Sequence, residues 1–152
     1  MNLELKELLV EKPITLIYWE IDEKWDELVP LFQRETEIKT INNFEEVFTW
    51  LKFVEVKYLI IGAKDVNSLR EKTKLFRPLD IDKRRKLFII LISPNVETLD
   101  TKGTFLLEAN LLVNPKDLKE FDKVFNKAKA YWESLYRPYN LAYQKVHGVE
   151  YA

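Results

Sequence analysis

A chain of 152 residues with 47% hydrophobic residues has the size and composition of one domain around one sizeable core. Its 24 basic and 25 acidic residues leave a formal net charge of -1, which gives no broad electrostatic reason to bind nucleic acid. The absence of cysteine excludes disulfides and thiolate metal sites and fits a reducing compartment.

The first thirteen residues, MNLELKELLVEKP, alternate leucines with charges and lack the basic start and apolar core of a secretory signal. The longest apolar strand, Leu87 to Ile92, is far too short to span a bilayer. A soluble, cytoplasmic protein without a membrane partner is therefore expected. Abundant lysine and glutamate with little glutamine is a thermophile-like composition.

Leu3 to Glu11 reads as a short helix ended by Pro13, and Ile14 to Glu20 as the first strand. A helical segment follows from Asp22, with Trp25, Leu28 and Phe32 near one face. Pro30 predicts a kink or an early stop there, because it removes a donor and crowds the preceding turn. Glu37 to Thr40 is a short second strand. Asn43 with Glu46 three residues on has the pattern of a capping box, before a helix with Phe44, Val47, Phe48 and Leu51 on its apolar face.

Val56 to Ile61 reads as a buried strand stopped by Gly62, and Asp65 to Phe76 as a helix. Pro78 to Lys86 reads as a polar crossing loop. Leu87 to Ile92 is an almost unbroken aliphatic run, the pattern of a parallel strand covered on both faces. Asp100 to Glu108 is a short helix candidate weakened by Gly103, and Leu111 to Val113 a short fifth strand. Asn114 and Pro115 then form a helix cap and first turn.

The last helix carries Leu118, Phe121, Phe125, Ala128, Trp132 and Leu135 at alternating three and four spacings, one apolar stripe. With Pro138 as its stop it would run about 34 Å, against roughly 17–20 Å for a sheet of this kind. Five strands alternating with helices predict a three-layer α/β sandwich. Right-handed crossovers give the flavodoxin-like five-stranded parallel sheet, order 2-1-3-4-5, with an extended C-terminal helix. A Rossmann-like variant is the competing order. The chain divides into an N-terminal helical extension (1–12), an α/β core (14–137) and a tyrosine-rich tail (138–152), all in a single domain (1–152).

The stretch IILISPN through GTFLLEANLLVNPKDLKEF resembles the receiver domain of two-component response regulators. In that family the fourth strand ends in a small hydroxyl residue, and a conserved lysine-proline pair follows the fifth. Ser93 stands at the hydroxyl position, Pro115 at the proline and Asn114 at the lysine. A working receiver also holds magnesium with carboxylates after strand one and accepts a phosphoryl group on an aspartate ending strand three. Glu20 and Asp22 are the available carboxylates, but the acceptor position falls on Gly62. The resemblance therefore implies a pseudo-receiver, which signals through binding alone and requires no cofactor or metal.

Three surfaces are candidates. The overhanging end of the last helix, with Tyr131, Trp132, Tyr136 and Tyr139, is a candidate interface for a protein partner, another copy of the chain included. Alternatively, Leu3 to Leu9 folds back over it and makes Trp132 core. The strand-end edge with Glu20, Asp22, Asp65, Ser93, Asn95 and Asn114 is a candidate ligand or enzymatic site. There Asp65 reads first as a helix cap and otherwise as a displaced acceptor. Lys83, Arg84, Arg85 and Lys86 form the basic run, read as a solvated flank more than a phosphate contact. His147, the sole histidine, makes a poor case for zinc.

Overall fold

The computed structural model describes residues 12–147. The helix expected over Leu3–Glu11 lies outside the described residues. A five-stranded, all-parallel sheet has the order β2-β1-β3-β4-β5, with β1 Ile14–Trp19, β2 Glu37–Thr40, β3 Val56–Gly62, β4 Phe88–Ile92 and β5 Leu111–Val113. The helices between them are α1 Val29–Gln33, α2 Glu46–Phe53, α3 Val66–Thr73, α4 Ile81–Lys86, α5 Thr101–Leu106 and α6 Phe121–His147. This is the flavodoxin-like order expected from sequence, with helices on both sheet faces and a long last helix.

Successive strand residues point to opposite faces, and the core divides accordingly. Ile14, Leu16, Leu59, Ile61, Ile89 and Leu91 pack with Val47 and Trp50 of α2 and Leu69 of α3. Ile17, Tyr58, Ile60, Ile90 and Ile92 pack with Phe32 of α1 and Phe121, Val124, Phe125 and Ala128 of α6. Phe32, Tyr58, Phe121 and Phe125 meet edge-on or offset, with ring centroids 5.0–5.8 Å apart. Two buried hydroxyls at the β1–β2 side are satisfied locally: Thr36, just before β2, donates to the Phe32 carbonyl at 2.7 Å and lies 2.6 Å from the Thr15 hydroxyl of β1.

Side-chain caps fix the starts of α3, α4 and α5. Asp65, Asp80 and Asp100 each accept a backbone N–H three residues on, from Ser68, Lys83 and Gly103, satisfying donors that a helix start leaves free. Asn114 accepts from Lys116 N–H and opens the 3-10 turn Pro115–Glu120 that leads into α6. Gly103 is a packing residue: a Cβ there would lie 2.8 Å from Leu112 and 2.7 Å from the Asp100 cap, so α5 lies directly against β5.

Four local expectations are corrected. Pro30 neither kinks nor stops its helix, because it falls in the first turn of α1, where its missing N–H has no helical partner to lose. Asn43 does not cap α2: its side chain accepts from Glu45 N–H, one turn early, and the helix starts at Glu46 without a side-chain cap. The loop expected over Pro78–Lys86 contains α4, capped by Asp80. Pro138 does not end the last helix, which continues to His147.

Asn110 ties the amino end of the sheet together. Its N–H donates to the Ile89 carbonyl at 2.9 Å, and its side-chain oxygen accepts from Ile89 N–H, also at 2.9 Å. The same oxygen accepts from Arg84 at 3.1 Å, and its backbone carbonyl accepts from the Trp132 indole at 2.6 Å. Asn110→Ala leaves a buried Ile89 N–H without its acceptor and is expected to cost about 1–3 kcal/mol. Urea unfolding reads that loss, and hydrogen exchange should quicken first at the Ile89 amide.

Candidate functional site

At the carboxyl edge, β1, β3, β4 and β5 end side by side on Trp19, Gly62, Ile92 and Val113. Trp19 lies over Gly62. A Cβ at Gly62 would sit 2.6 Å from the nearest Trp19 ring atom, inside any tolerable contact. The indole N–H of Trp19 donates to the Glu23 carbonyl, which fixes the ring. The position of the resemblance's acceptor is thus covered by an aromatic side chain.

Glu20 follows immediately. It accepts the Tyr18 hydroxyl and lies 3.9 Å from the Lys72 ammonium. Lys72 reaches across from α3, donates to the Ser68 hydroxyl at 2.8 Å, and lies 5.4 Å from the Tyr18 ring centre and 6.0 Å from that of Phe44. The Glu20 hydrogen bond, then partial burial, then the Glu20 charge push the Tyr18 hydroxyl up to about 12. Asp22 is exposed on the following turn.

The other predicted edge residues bond to backbone groups of their own and neighbouring loops. Asp65 caps α3, accepting Ser68 N–H at 2.7 Å. Ser93 is fully buried, and its hydroxyl accepts from Asn95 N–H at 3.3 Å. The Asn95 amide donates to the Lys64 carbonyl at 3.5 Å. Asn114 donates its amide to the Pro94 and Val96 carbonyls at 3.3 and 3.0 Å. Thr98 accepts Asn114 N–H and donates to Asp117, holding the β4–α5 loop to the start of the last helix. Among the described residues no three His, Asp or Glu side chains gather in a metal-binding group.

The basic run turns out to be the last turn of α4, where cations face the negative end of the helix dipole. Arg84 lies inward, donating to the Leu87 and Glu108 carbonyls as well as to Asn110. Burial pulls its guanidinium below the ordinary value. The Arg85 guanidinium lies 4.8 Å from the Tyr136 ring centre. Lys83 and Lys86 remain exposed. The four residues therefore do not form one outward patch.

At the overhanging helix, Trp132 is a buried wall, 9% exposed, whose indole is held by Asn110. Around it lies an apolar face that sequence reasoning identified only in part. Phe105 and Leu106 of α5 are 54% and 64% exposed, and Tyr131 and Leu135 of α6 are 44% and 47% exposed. Phe105, Tyr131 and Tyr136 each lie within 6 Å of Trp132, centroid to centroid. Between α5 and α6 runs a groove of about 230 Å³ over Leu111 of edge strand β5. Phe105 and Leu106 escaped notice because an isolated short helix gives too few turns to separate an outer from an inner face. Tyr139 falls in α6, and its side chain is outside those described.

No family model and no curated protein matches the chain by sequence. Solved structures match the fold. A response regulator receiver protein from Pseudomonas putida superposes with a TM-score of 0.52 at 15% identity, over 78% of this chain and 99% of its own. The signal receiver domain of an HD domain-containing protein from Pseudomonas fluorescens Pf-5 gives 0.55 at 14% identity, over 90% and 98%. The chain thus has the receiver, or CheY-like, fold. Identity this low carries the architecture alone. Among the described residues no helix is long and apolar enough to cross a membrane.

Two outcomes test this geometry. Gly62→Ala should cost about 1–3 kcal/mol by overpacking, and most of that cost should vanish in a Trp19→Ala background, read as a double-mutant cycle in urea. Glu20→Gln should bring the Tyr18 hydroxyl down from about 12 toward its ordinary value, followed by ultraviolet titration of the phenolate. The sign follows from the raised native value: in the unaltered protein the Tyr18 contribution is fully present below pH 10 and is lost as pH rises toward 12.

Proposed function

We propose that this chain is a non-catalytic protein-interaction or signalling module of pseudo-receiver type, and that it binds its partner through the α5–α6 face. The observation that carries the reading is the exposed pair Phe105 and Tyr131, which line one groove beside Trp132, with Leu106 and Leu135 also exposed on the same two helices. Exposed apolar and aromatic groups of this sort mark interaction surfaces. Trp132 sits beneath them as a rigid support held by Asn110, so the contact residues are Phe105, Leu106, Tyr131 and Leu135. The partner is a protein, another copy of the chain included.

The carboxyl edge supports the non-catalytic half. A phosphoryl acceptor needs a carboxylate beside clustered oxygen ligands for a hard cation. Here Gly62 has no side chain and Trp19 fills the space above it. Glu20 already faces a lysine and a tyrosine, and Asp65 is bound to a helix start. These groups do not fit a magnesium site. The alternative, a ligand-binding or enzymatic edge, has less support, because Asn95 and Asn114 spend their amides on loop carbonyls.

The test pairs wild type with a Phe105→Glu/Leu135→Glu variant, whose positions are exposed and should leave circular dichroism unchanged. Sedimentation should detect self-association and affinity capture a different partner. In either case a hot-spot surface implies a loss of about tenfold or more. Magnesium with acetyl phosphate should leave the association unaltered. Association unaffected by both glutamates would remove the surface assignment. Incorporation of phosphate, read by mass spectrometry, would remove the non-catalytic one.

A further inference from the structure

The amino edge of the sheet holds a further concavity that shares Asn110 and Trp132 with the α5–α6 groove but differs from it chemically. It is a groove of about 150 Å³ at the amino edge, between the starts of β3 and β4, the end of α4 and the outer half of α6. Aromatic side chains line it: Tyr58, Phe88, Trp132 and Tyr136. Among the described residues, Lys57, Arg85, Lys86, Lys129 and Glu133 supply the charged groups of its lining. Glu35 stands next to it, bound to Lys57 at 2.9 Å.

We infer that this groove binds a small aromatic anion: one planar ring carrying a carboxylate or a phosphate. Three observations set the class. The volume suits a single ring, since an apolar cavity of about 150 Å³ accepts benzene. The lining offers aromatic side chains that a ring can meet by offset or edge contact. The excess of cations among the described lining residues, in a chain of net charge -1, favours a negative substituent.

Lys129 is the residue best placed to select for charge. It is half-buried on α6, and its ammonium lies 5.8 and 5.7 Å from the Tyr58 and Phe125 ring centres. An ammonium held among rings is less hydrated than one in water and meets an anion in a medium of lower dielectric. Lys86 stands exposed on the opposite rim. Tyr58 adds a hydroxyl 3.5 Å from Glu35, and burial is the main cause pushing that hydroxyl up to about 12.

The experiment is an amide and indole NMR titration of the full chain with phenyl phosphate and with benzoate, which separates phosphate from carboxylate recognition. Inorganic phosphate and phenol are the controls. Saturable shifts centred on Lys57, Phe88, Lys129 and the Trp132 indole are expected with at least one of the two aryl anions. Lys129→Gln, or Lys86→Gln as the exposed second variant, should weaken binding by about tenfold, the scale of a charge-assisted contact. Raising salt from about 50 to about 500 mM should weaken it too. The inference is overturned if neither aryl anion saturates, if both lysine variants bind as wild type, or if inorganic phosphate or phenol alone binds as well. Partner binding reads different residues, Phe105 and Leu135, so either proposal can fail without the other.

Discussion

The arrangement of the amino half of the sheet depends on one buried amide. Asn110 precedes the three-residue strand β5, which is too short to hold its own position by ladder bonds. The side-chain oxygen supplies an additional acceptor for Ile89 N–H, so β4 and β5 are joined one residue before their regular pairing at Ile90 and Leu111. The same amide group and its backbone carbonyl then engage Arg84 from α4 and Trp132 from α6. A buried polar group of this kind is costly unless satisfied, and here satisfying it sets the positions of four elements at once. Asn110 also lines both the α5–α6 groove and the amino-edge groove. Trp132 is the wall they share, and its rotamer is fixed by the Asn110 carbonyl.

The carboxyl edge is organised by an opposite logic. Nothing there resembles a solvated carboxylate cluster. Trp19 covers Gly62, and the ammonium of Lys72 lies near Glu20 and two aromatic rings. The absence of a Cβ at Gly62 admits the indole, whose N–H is bound to the turn after β1. Introducing any side chain at Gly62 would therefore disturb that turn and the Glu20 position that follows it. The covering ring and the missing side chain are one packing solution.

Much of the fold was legible because its signals are local or periodic. The aliphatic runs in β3 and β4, covered on both faces, announced a parallel sheet, and the strand–helix alternation gave its order. Asp65 and Asn114 were readable as caps, since a short polar side chain satisfies free N–H groups two or three residues on. The failures share a cause: the outcome was decided by position within a helix or by tertiary contacts. Pro30 looked disruptive until it fell in a first turn. Arg84 looked like one member of a charged run, but its direction was set by Asn110 and Glu108, both more than twenty residues away. At the candidate site, the composition of the carboxyl edge was readable, but the position of Trp19 over Gly62 was not. No sequence period reports which ring crosses from a neighbouring strand.

Pro138 shows how far the anchored part of a helix governs the rest. Proline in a helix interior removes one hydrogen bond, here to the Ser134 carbonyl, and costs about 3 kcal/mol. In an isolated peptide that cost would end a helix whose nucleation is already unfavourable. In α6 the first three turns are bound to the core by Phe121, Val124, Phe125 and Ala128, and Trp132 adds a fourth. Nucleation is thereby complete before the chain reaches Pro138, and only propagation remains. Beyond Trp132 no described side chain is buried. The aromatic contact of Tyr136 with Trp132 and its stacking under Arg85 hold the helix two residues before the proline. The extension is therefore an outgrowth of the same anchor that lines both grooves.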